Sequence, residues 1–137
     1  MKHVEVVCAV IKDNDKYFCC MRGPGRAIAY KWEFPGGKVE EHESKEHALI
    51  REIKEELNSD ISIIGYLGTV NHKYLDIEKP FEITMHAFLC SLINGKLELS
   101  EHVDSKYATI DEMKLMDFAE ADKPIFCLLY TSPSPRD

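Results

Sequence analysis

The sequence contains no apolar run long enough to cross a membrane. Its longest apolar stretches, residues 6–11 and 87–93, have the length of single strands. The first five residues also lack the charged segment and the apolar core that direct secretion. We therefore expect a cytoplasmic protein without a membrane partner.

The cysteines form neither a disulfide framework nor a metal-binding motif. There are five, an odd number, and Cys19 and Cys20 are adjacent instead of being separated by two residues. We interpret them as reduced thiols that act as small buried hydrophobic side chains. The six histidines share no ligand spacing either, so no zinc site is predicted, and these residues are expected at the surface or in a pocket.

The chain also has fewer basic than acidic residues. The chain carries 24 acidic and 17 basic residues, which gives a net charge of −7. A protein that binds duplex nucleic acid or tRNA usually presents a basic face, and no basic face is visible here, so no nucleic-acid polymer is expected as a partner. An acidic protein can still bind a polyphosphate when a divalent cation inverts the local field.

The distribution of apolar residues predicts both strands and helices. Strands are predicted at residues 4–11, 16–21, 61–70, 82–93, 97–99 and 107–110. Helices are predicted at residues 44–57, 111–116 and 121–130. Turn residues 13–15 and the pair Asn94-Gly95 predict hairpins. This order indicates an α+β fold, an α/β/α sandwich in one domain over residues 1–130. The Ser- and Pro-rich residues 131–137 are expected to be a disordered or foreign tail.

Residues 44–57 have the clearest helical pattern. Ser44 is the predicted N-cap, and Asn58 tolerates the left-handed conformation that ends many helices. Apolar residues recur at three- and four-residue steps and form one stripe, which consists of Leu49, Ile50, Ile53 and Leu57.

Three carboxylates crowd together on this helix. Glu52, Glu55 and Glu56 lie within an arc of roughly 100°. Like charges at this spacing destabilise a helix unless a cation neutralises them, and carboxylate oxygens are the ligands that Mg²⁺ and Mn²⁺ prefer. The preceding Gly36-Gly37 turn lets a backbone carbonyl come close. Arg51 is placed to orient a glutamate through a bidentate ion pair.

The carboxylates belong to a longer pattern, Gly37-x5-Glu43-x7-Arg51-Glu52-Ile53-x-Glu55-Glu56. A glutamate-rich amphipathic helix alone is usually a solvated surface. Six fixed residues at these spacings, however, match by chance on the order of once in 10⁷ windows. The pattern therefore indicates a functional site.

The pattern resembles the signature of the Nudix hydrolase family, G-x5-E-x7-R-E-U-x-E-E-x-G-U, where U is aliphatic. Asn58 replaces the final glycine, and Ser59 stands at the last aliphatic position, for which we expect Ile61 to supply the packing. Residues 32–38, Trp-Glu-Phe-Pro-Gly-Gly-Lys, are similar to the MutT branch, which contains 8-oxo-dGTP diphosphatases and CTP pyrophosphohydrolases. The resemblance covers about residues 4–129 and implies the Nudix fold with its mixed sheet.

The resemblance implies a hydrolase that uses Mg²⁺ or Mn²⁺ to cleave a nucleoside triphosphate to the monophosphate and pyrophosphate. Glu52 corresponds to the general base, and Arg51 and Glu55 complete the implied catalytic set. The implied metal ligands are Gly36 through its carbonyl, Glu52, Glu55, Glu56 and Glu101. Glu101 has the alternative of a solvated loop residue. Glu43 is assigned to the junction between loop and helix.

The resemblance also implies a nucleotide pocket. Arg22 corresponds to a substrate-contacting arginine, or else is a surface charge at the end of a strand. The protein backbone that lines the nucleobase pocket is implied to come from Glu33, Phe34, Pro35 and Gly36. Asp122 falls where the 8-oxoguanine enzymes carry an asparagine; an ionised aspartate only accepts hydrogen bonds and suits the amino group of cytosine. The alternative for Asp122 is a helix N-cap, and Trp32 is either a core aromatic or a stacking platform.

Three other interpretations stay open at this point. A Nudix enzyme could act on another nucleoside diphosphate derivative, such as a dinucleotide, ADP-ribose or a nucleotide sugar. The chain could also be a non-catalytic nucleotide-binding module, although such modules usually lose carboxylates that are all present here. The third alternative is an acidic interaction domain without a ligand. We expect a monomer or a weak dimer.

Overall fold

A computed structural model gives the fold of residues 1–131, which are the residues described here. The strands are β1 Lys2–Asp13, β2 Lys16–Arg22, β3 Trp32–Glu33, β4 Gly36–Lys38, β5 Asp60–Tyr74, β6 Phe81–Asn94 and β7 His102–Ala108. The helices are α1 Lys45–Leu57, α2 Ile110–Lys114 and α3 Pro124–Thr131. Most of the predicted tail, residues 132–137, lies outside the described residues. None of the helices in residues 1–131 combines the length and the apolar character needed to cross a bilayer.

The seven strands of residues 1–131 form a mixed sheet with the path β3-β2-β1-β6-β5. The long central pair, β1 and β6, is parallel, and β5 runs antiparallel to β6. β4 pairs with β1 and β7 pairs with β2, both antiparallel. The mixed sheet and the α+β class are therefore confirmed.

The first hairpin opens shortly after its turn, and this opening places the site. β1 and β2 pair only next to the turn, as Lys12 with Tyr17 and Asp13 with Lys16. Beyond that point residues 32–38 enter the gap, with β3 bonded to β2 and β4 bonded to β1. The backbone N–H of Ala9 donates to the Pro35 carbonyl at 2.8 Å. The glycine pair is therefore held in the middle of the sheet.

Two hydrophobic layers cover opposite faces of the sheet. The layer under α1 includes Val7, Ala9, Ile11, Leu49, Ile53, Leu57, Phe88 and Cys90. The layer under α2 and α3 includes Cys8, Val10, Phe34, Met85, Met113, Phe118, Ile125 and Leu129. Alternate residues of β1 point into alternate layers, as the period of a strand requires. The predicted α/β/α sandwich is confirmed, although Ile50 of the predicted stripe is 42% exposed.

Both predicted caps of α1 are present. The Ser44 hydroxyl accepts a hydrogen bond from the His47 N–H, and Asn58 ends the helix with φ of +48° while its N–H donates to the Lys54 carbonyl. Ile61 is 4% exposed and packs in the layer under α1, as expected for the residue that replaces the aliphatic position. The asparagine in place of the family's glycine thus leaves the helix end intact.

The predicted strand at residues 97–99 and the hairpin turn at Asn94-Gly95 are wrong. The Glu98 N–H donates to the Leu57 carbonyl at 3.0 Å, and the Leu97 N–H donates to the Ser59 hydroxyl at 2.9 Å. The segment after β6 therefore satisfies the C-terminal end of α1 instead of extending the sheet. Local turn chemistry could not reveal this tertiary partner.

Two other boundaries also differ from the prediction. β7 begins at His102, five residues before the predicted strand at 107, and it ends at Ala108 because Thr109 caps α2. α3 begins at Pro124 and not at residue 121. Proline fits the first helical turn, where its missing N–H costs nothing.

Replacing Asn58 tests the helix end. Asn58→Ala is expected to lower the free energy of unfolding by about 1 kcal/mol relative to Asn58→Gly, because only alanine carries the steric cost of the left-handed region. Both variants lose the same side-chain hydrogen bond to Glu98, so their comparison isolates the backbone. Urea unfolding measures the difference, and equal stability of the two variants would contradict this account.

Candidate active site

The glycine pair lies so close to its neighbours that no side chain fits. A Cβ on Gly36 would lie 1.9 Å from the Val7 carbonyl oxygen. A Cβ on Gly37 would lie 2.2 Å from the carboxyl carbon of Glu52. The Glu52 carboxylate therefore packs directly on the backbone of the bend, which brings α1 and β4 together at the site.

Arg51 ties this carboxylate to the loop before the helix. Its guanidinium forms a bidentate pair with Glu43 at 2.7 and 2.9 Å. It also donates to Glu52 at 3.1 Å and to the Lys38 carbonyl at 3.1 Å. The hydrogen bond from Arg51 lowers the pKa of Glu43 to about 2. Glu43 thus lies at the junction between loop and helix that was predicted for it.

The three helix carboxylates differ in exposure. The Glu55 side chain is 60% exposed and Glu52 is 16% exposed, whereas Glu56 is buried. Burial, followed by the negative charges of neighbouring carboxylates, raises the pKa of Glu56 to about 8. Its Oε1 atom is buried without a hydrogen-bond partner among the described residues. An unpaired buried carboxylate oxygen beside two other carboxylates is the arrangement that a divalent cation stabilises.

Glu101 lies in the loop before β7 and joins this group. Burial is the main cause of the raised pKa of Glu52 and Glu56, and the negative charge of Glu101 adds to both. The Glu101 side chain is 57% exposed, and the Arg26 guanidinium lies 3.9 Å away. The structure therefore brings the predicted acidic set together from one helix and one distant loop. Arg26, which the sequence analysis did not single out, is a further cation at this place.

A cavity of about 670 Å³ opens beside the acidic group. Its walls come from β1, β6, the loop after β2 and the segment before α3. Among the lining residues are Val4, Val6, Cys8, Arg22, Arg26, Glu33, Phe34, Gly36, Gly37, Tyr74, Ile83, Met85 and Asp122. Pro35 stands apart from the other predicted pocket residues, because it is fully buried and its carbonyl is bonded to Ala9. Volume and apolar walls suit a small organic ligand.

Glu33 is held at both of its carboxylate oxygens. Arg22 donates to Oε1 at 2.9 Å, and Nε2 of His102 donates to Oε2 at 2.9 Å. Burial alone would raise the pKa of Glu33, but the hydrogen bond from His102 and the charge of Arg22 bring it below its ordinary value. Arg22 is therefore part of a cavity wall and is not a free surface charge.

Asp122 is the second carboxyl group that lines the cavity, and it is buried. Its Oδ2 accepts a hydrogen bond from the Phe34 N–H at 2.9 Å. Burial, followed by the negative charge of Glu33, raises the pKa of Asp122 well above its ordinary value. The structure therefore favours the protonated form, whereas the sequence argument assumed an ionised aspartate. α3 begins two residues later, at Pro124, and the Asp122 carboxyl group bonds to the Phe34 N–H.

Packing and burial describe Trp32, the cysteines and two of the histidines. Trp32 packs against the hydrophobic layer under α3, and its backbone is bonded to Asp117 and Ala119. It is partly buried, and this packing favours the core-aromatic alternative. Four cysteines are buried as predicted, namely Cys8, Cys19, Cys20 and Cys90, whereas Cys127 is exposed. His86 and His102 are buried, although histidines were expected at the surface or in a pocket.

Comparison with known proteins is consistent with this geometry. The model of the NUDIX domain family matches residues 1–129. The chain belongs to the Nudix family. This Nudix hydrolase is 32% identical over 125 residues to the CTP pyrophosphohydrolase of Escherichia coli (strain K12), covering 91% of this chain and 90% of that protein. It is 36% identical over 101 residues to an 8-oxo-dGTP diphosphatase of Proteus vulgaris, covering 73% and 85% of the two chains.

The Nudix fold is also confirmed by a solved structure. The crystal structure of the MutT protein from Methanosarcina mazei Go1 superposes with a TM-score of 0.82 at 20% identity, covering 97% of each chain. At this identity the likeness concerns the fold alone. The family match and the curated relatives, among them the 8-oxo-dGTP diphosphatase, make this Nudix hydrolase one of the MutT type.

A side chain at Gly37 should disable this Nudix hydrolase. Gly37→Ala is expected to reduce turnover of nucleoside triphosphates by about 100-fold, because its Cβ must displace the Glu52 carboxylate. Gly65→Ala is the matched control, since a Cβ there meets nothing within 4 Å. Pyrophosphate release measures turnover, and thermal melting verifies folding. Full activity of a folded Gly37→Ala variant would show that Glu52 is not held by this contact.

Proposed function

We propose that this chain, as one domain over residues 1–130, is a Mg²⁺-dependent nucleoside triphosphate pyrophosphohydrolase that prefers cytosine nucleotides. It releases the nucleoside monophosphate and pyrophosphate. The observation that carries the proposal is the buried Oε1 of Glu56, which has no hydrogen-bond partner in the described part of the chain. Glu56 belongs to a group of carboxylates beside a cavity that Asp122 lines.

The donor set fits a hard divalent cation. Hydrolases of this family generally use such an ion. The proposed ligands are all oxygen atoms: the Gly36 carbonyl and the carboxylates of Glu52, Glu55, Glu56 and Glu101. Mn²⁺ accepts the same donors. When bound, the ion neutralises charge on the phosphates and makes a bound water more acidic.

Glu52 is the proposed general base. Arg51 fixes one of its oxygens, and the Gly37 backbone packs against its carboxyl group, so its orientation is defined. Burial raises the pKa of Glu52, which makes it a better proton acceptor than an exposed glutamate. Glu52 thus accepts the proton of the water that attacks phosphorus, and the bond to the pyrophosphate leaving group breaks.

Asp122 is the residue that we propose recognises the nucleobase of the substrate. A protonated carboxyl group offers one O–H donor and one carbonyl acceptor. Cytosine presents the matching pair on one edge, with N3 as acceptor and the amino group as donor. This reason replaces the sequence argument, which needed an ionised aspartate, and it supports the same preference. The relationship to a CTP pyrophosphohydrolase is a second support.

8-oxo-dGTP is the second candidate substrate. Its oxidised purine presents an N–H donor beside a carbonyl acceptor, which a neutral carboxyl group also complements. The likeness to 8-oxo-dGTP diphosphatases favours this alternative. The cavity volume admits either base.

A substrate screen tests the proposed function. With Mg²⁺, the catalytic efficiency is expected to be highest for CTP, dCTP or 5-methyl-dCTP and lower for 8-oxo-dGTP and ADP-ribose. Glu56→Gln should lower turnover by at least about 1,000-fold, because it removes a metal-binding carboxylate. Glu41→Gln changes an exposed glutamate in the loop before α1 and should keep the native turnover rate.

Variants of Asp122 test the proposed recognition of the nucleobase. Asp122→Asn keeps one donor and one acceptor and should retain efficiency with CTP within about tenfold, whereas Asp122→Leu should lose more than about 100-fold. A native protein that binds nucleotide but turns over none of these compounds would refute the enzyme and leave a binding module. Highest efficiency with 8-oxo-dGTP would refute the cytosine preference alone.

The raised pKa of Glu56 predicts how stability depends on pH without metal. A glutamate whose folded pKa lies above its unfolded value stabilises the protein fully below about pH 4.5, and this contribution is lost as the pH rises to about 8. In EDTA, the native protein should therefore lose stability across this window relative to Glu56→Gln. Mg²⁺ should stabilise the native protein more at about pH 8.5 than at about pH 5.5, since ligands must be deprotonated. Parallel pH profiles of the two proteins in EDTA would contradict the burial effect.

A further inference from the structure

His102 has no role in the proposed chemistry, yet it is among the most enclosed polar side chains. Its side chain is 1% exposed. Nε2 donates to Oε2 of Glu33 at 2.9 Å, and Nδ1 has no hydrogen-bond partner among the described residues. Glu33 is therefore the only hydrogen-bonded partner of this ring within residues 1–131. A buried polar group with a single partner points to a role that depends on that partner.

Three strands bring this group together. Glu33 lies on β3, Arg22 ends β2, and His102 begins β7. Arg22 and His102 are paired across β2 and β7, at a register irregularity between Met21 and Arg22. Arg22 and Glu33 line the cavity, whereas His102 approaches Glu33 at its other oxygen. The carboxylate is thus bonded by one group of the cavity wall and by one group that supports the wall.

The second hydrogen bond determines how Glu33 holds Arg22. With Arg22 alone, the Glu33 carboxylate could turn about its side-chain bonds and would leave one buried oxygen unpaired. With His102 in place, both oxygens are fixed. Arg22 is then held in one geometry, in which its Nε also donates to the Ala27 carbonyl at 2.7 Å. Ala27 belongs to the loop that covers the cavity.

We propose that His102 is a positioning residue that acts through Glu33 to hold Arg22 and the adjoining loop in the nucleotide-binding geometry. This inference rests on the proposed function, because it takes the cavity to be the nucleotide site. His102 directly follows Glu101, so the same residue joins the cavity wall to the loop that carries this carboxylate.

The same atoms could instead form a metal site, but their surroundings disfavour it. Ligand atoms of Cys20, Glu33 and His102 lie within 4.8 Å of one another. However, Glu33 is already paired with the Arg22 guanidinium at 2.9 Å, which would repel a cation. Burial also raises the pKa of the Cys20 thiol well above its ordinary value, so the thiolate that a metal needs is disfavoured.

Conservative variants of His102 test the proposal. Glutamine can place a side-chain N–H near the position of Nε2, whereas asparagine is too short and alanine has no donor. His102→Gln should keep KM for CTP within about threefold, and His102→Asn and His102→Ala should raise it by about tenfold or more while kcat changes less. A role in folding alone would lower the melting temperature without this split.

A double variant tests whether His102 acts through Glu33. If it does, His102→Ala should add less than about twofold to the KM of Glu33→Gln, because the partner is already altered. The proposal would be overturned if the two single variants' effects on KM multiplied in full in the double variant. A native KM in a folded His102→Ala protein would also overturn it. Should His102→Ala fail to fold, the comparison of the glutamine and asparagine variants decides in its place.

A binding measurement separates this proposal from the proposed function. CTP affinity is measured by calorimetry with Ca²⁺ in place of Mg²⁺ for the native protein and the His102 variants. Loss of affinity in His102→Asn but not in His102→Gln supports positioning even if the native protein hydrolyses no nucleotide. Equal affinity of all variants, or no nucleotide binding by the native protein, overturns it.

Discussion

The contact between the Glu52 carboxylate and the Gly37 backbone is the constraint on which the site depends. It requires that β4 lie in the opening of the first hairpin, since only there does the glycine pair reach α1. It also requires that both glycines lack a side chain. One close backbone approach thus fixes the helix against the sheet and places Glu52 against the glycine pair that lines the cavity.

Electrostatic balance around α1 explains why this arrangement can fold. Arg51 pairs bidentately with Glu43 and also forms ion pairs with Glu52 and Glu55, so one cation offsets several of the carboxylates. Within residues 1–131, Oε1 of Glu56 has no hydrogen-bond partner, and burial disfavours the ionised form of this carboxyl group. The protein therefore gives up stability at the position where the proposed cation would bind, which is common at functional sites.

Two carboxyl groups line the cavity, and their surroundings favour opposite protonation states. Arg22 and His102 favour the ionised form of Glu33. Burial, together with the charge of Glu33, favours the protonated form of Asp122. One group is held in place by its ion pair, and the other accepts a hydrogen bond from the Phe34 N–H. The two carboxyl groups therefore differ in protonation because their neighbours differ, and not because one is a glutamate and the other an aspartate.

The sequence by itself determined the family signature, the caps of α1, the acidic arc of Glu52, Glu55 and Glu56, and the sandwich of helices and sheet, because these depend on local spacing and periodicity. Only the tertiary structure decided that the segment after β6 bonds to the end of α1, that Asp122 favours its proton, and that His102 supports Glu33. Each of these depends on partners far apart in the chain, and residue type alone does not specify burial or neighbouring charge.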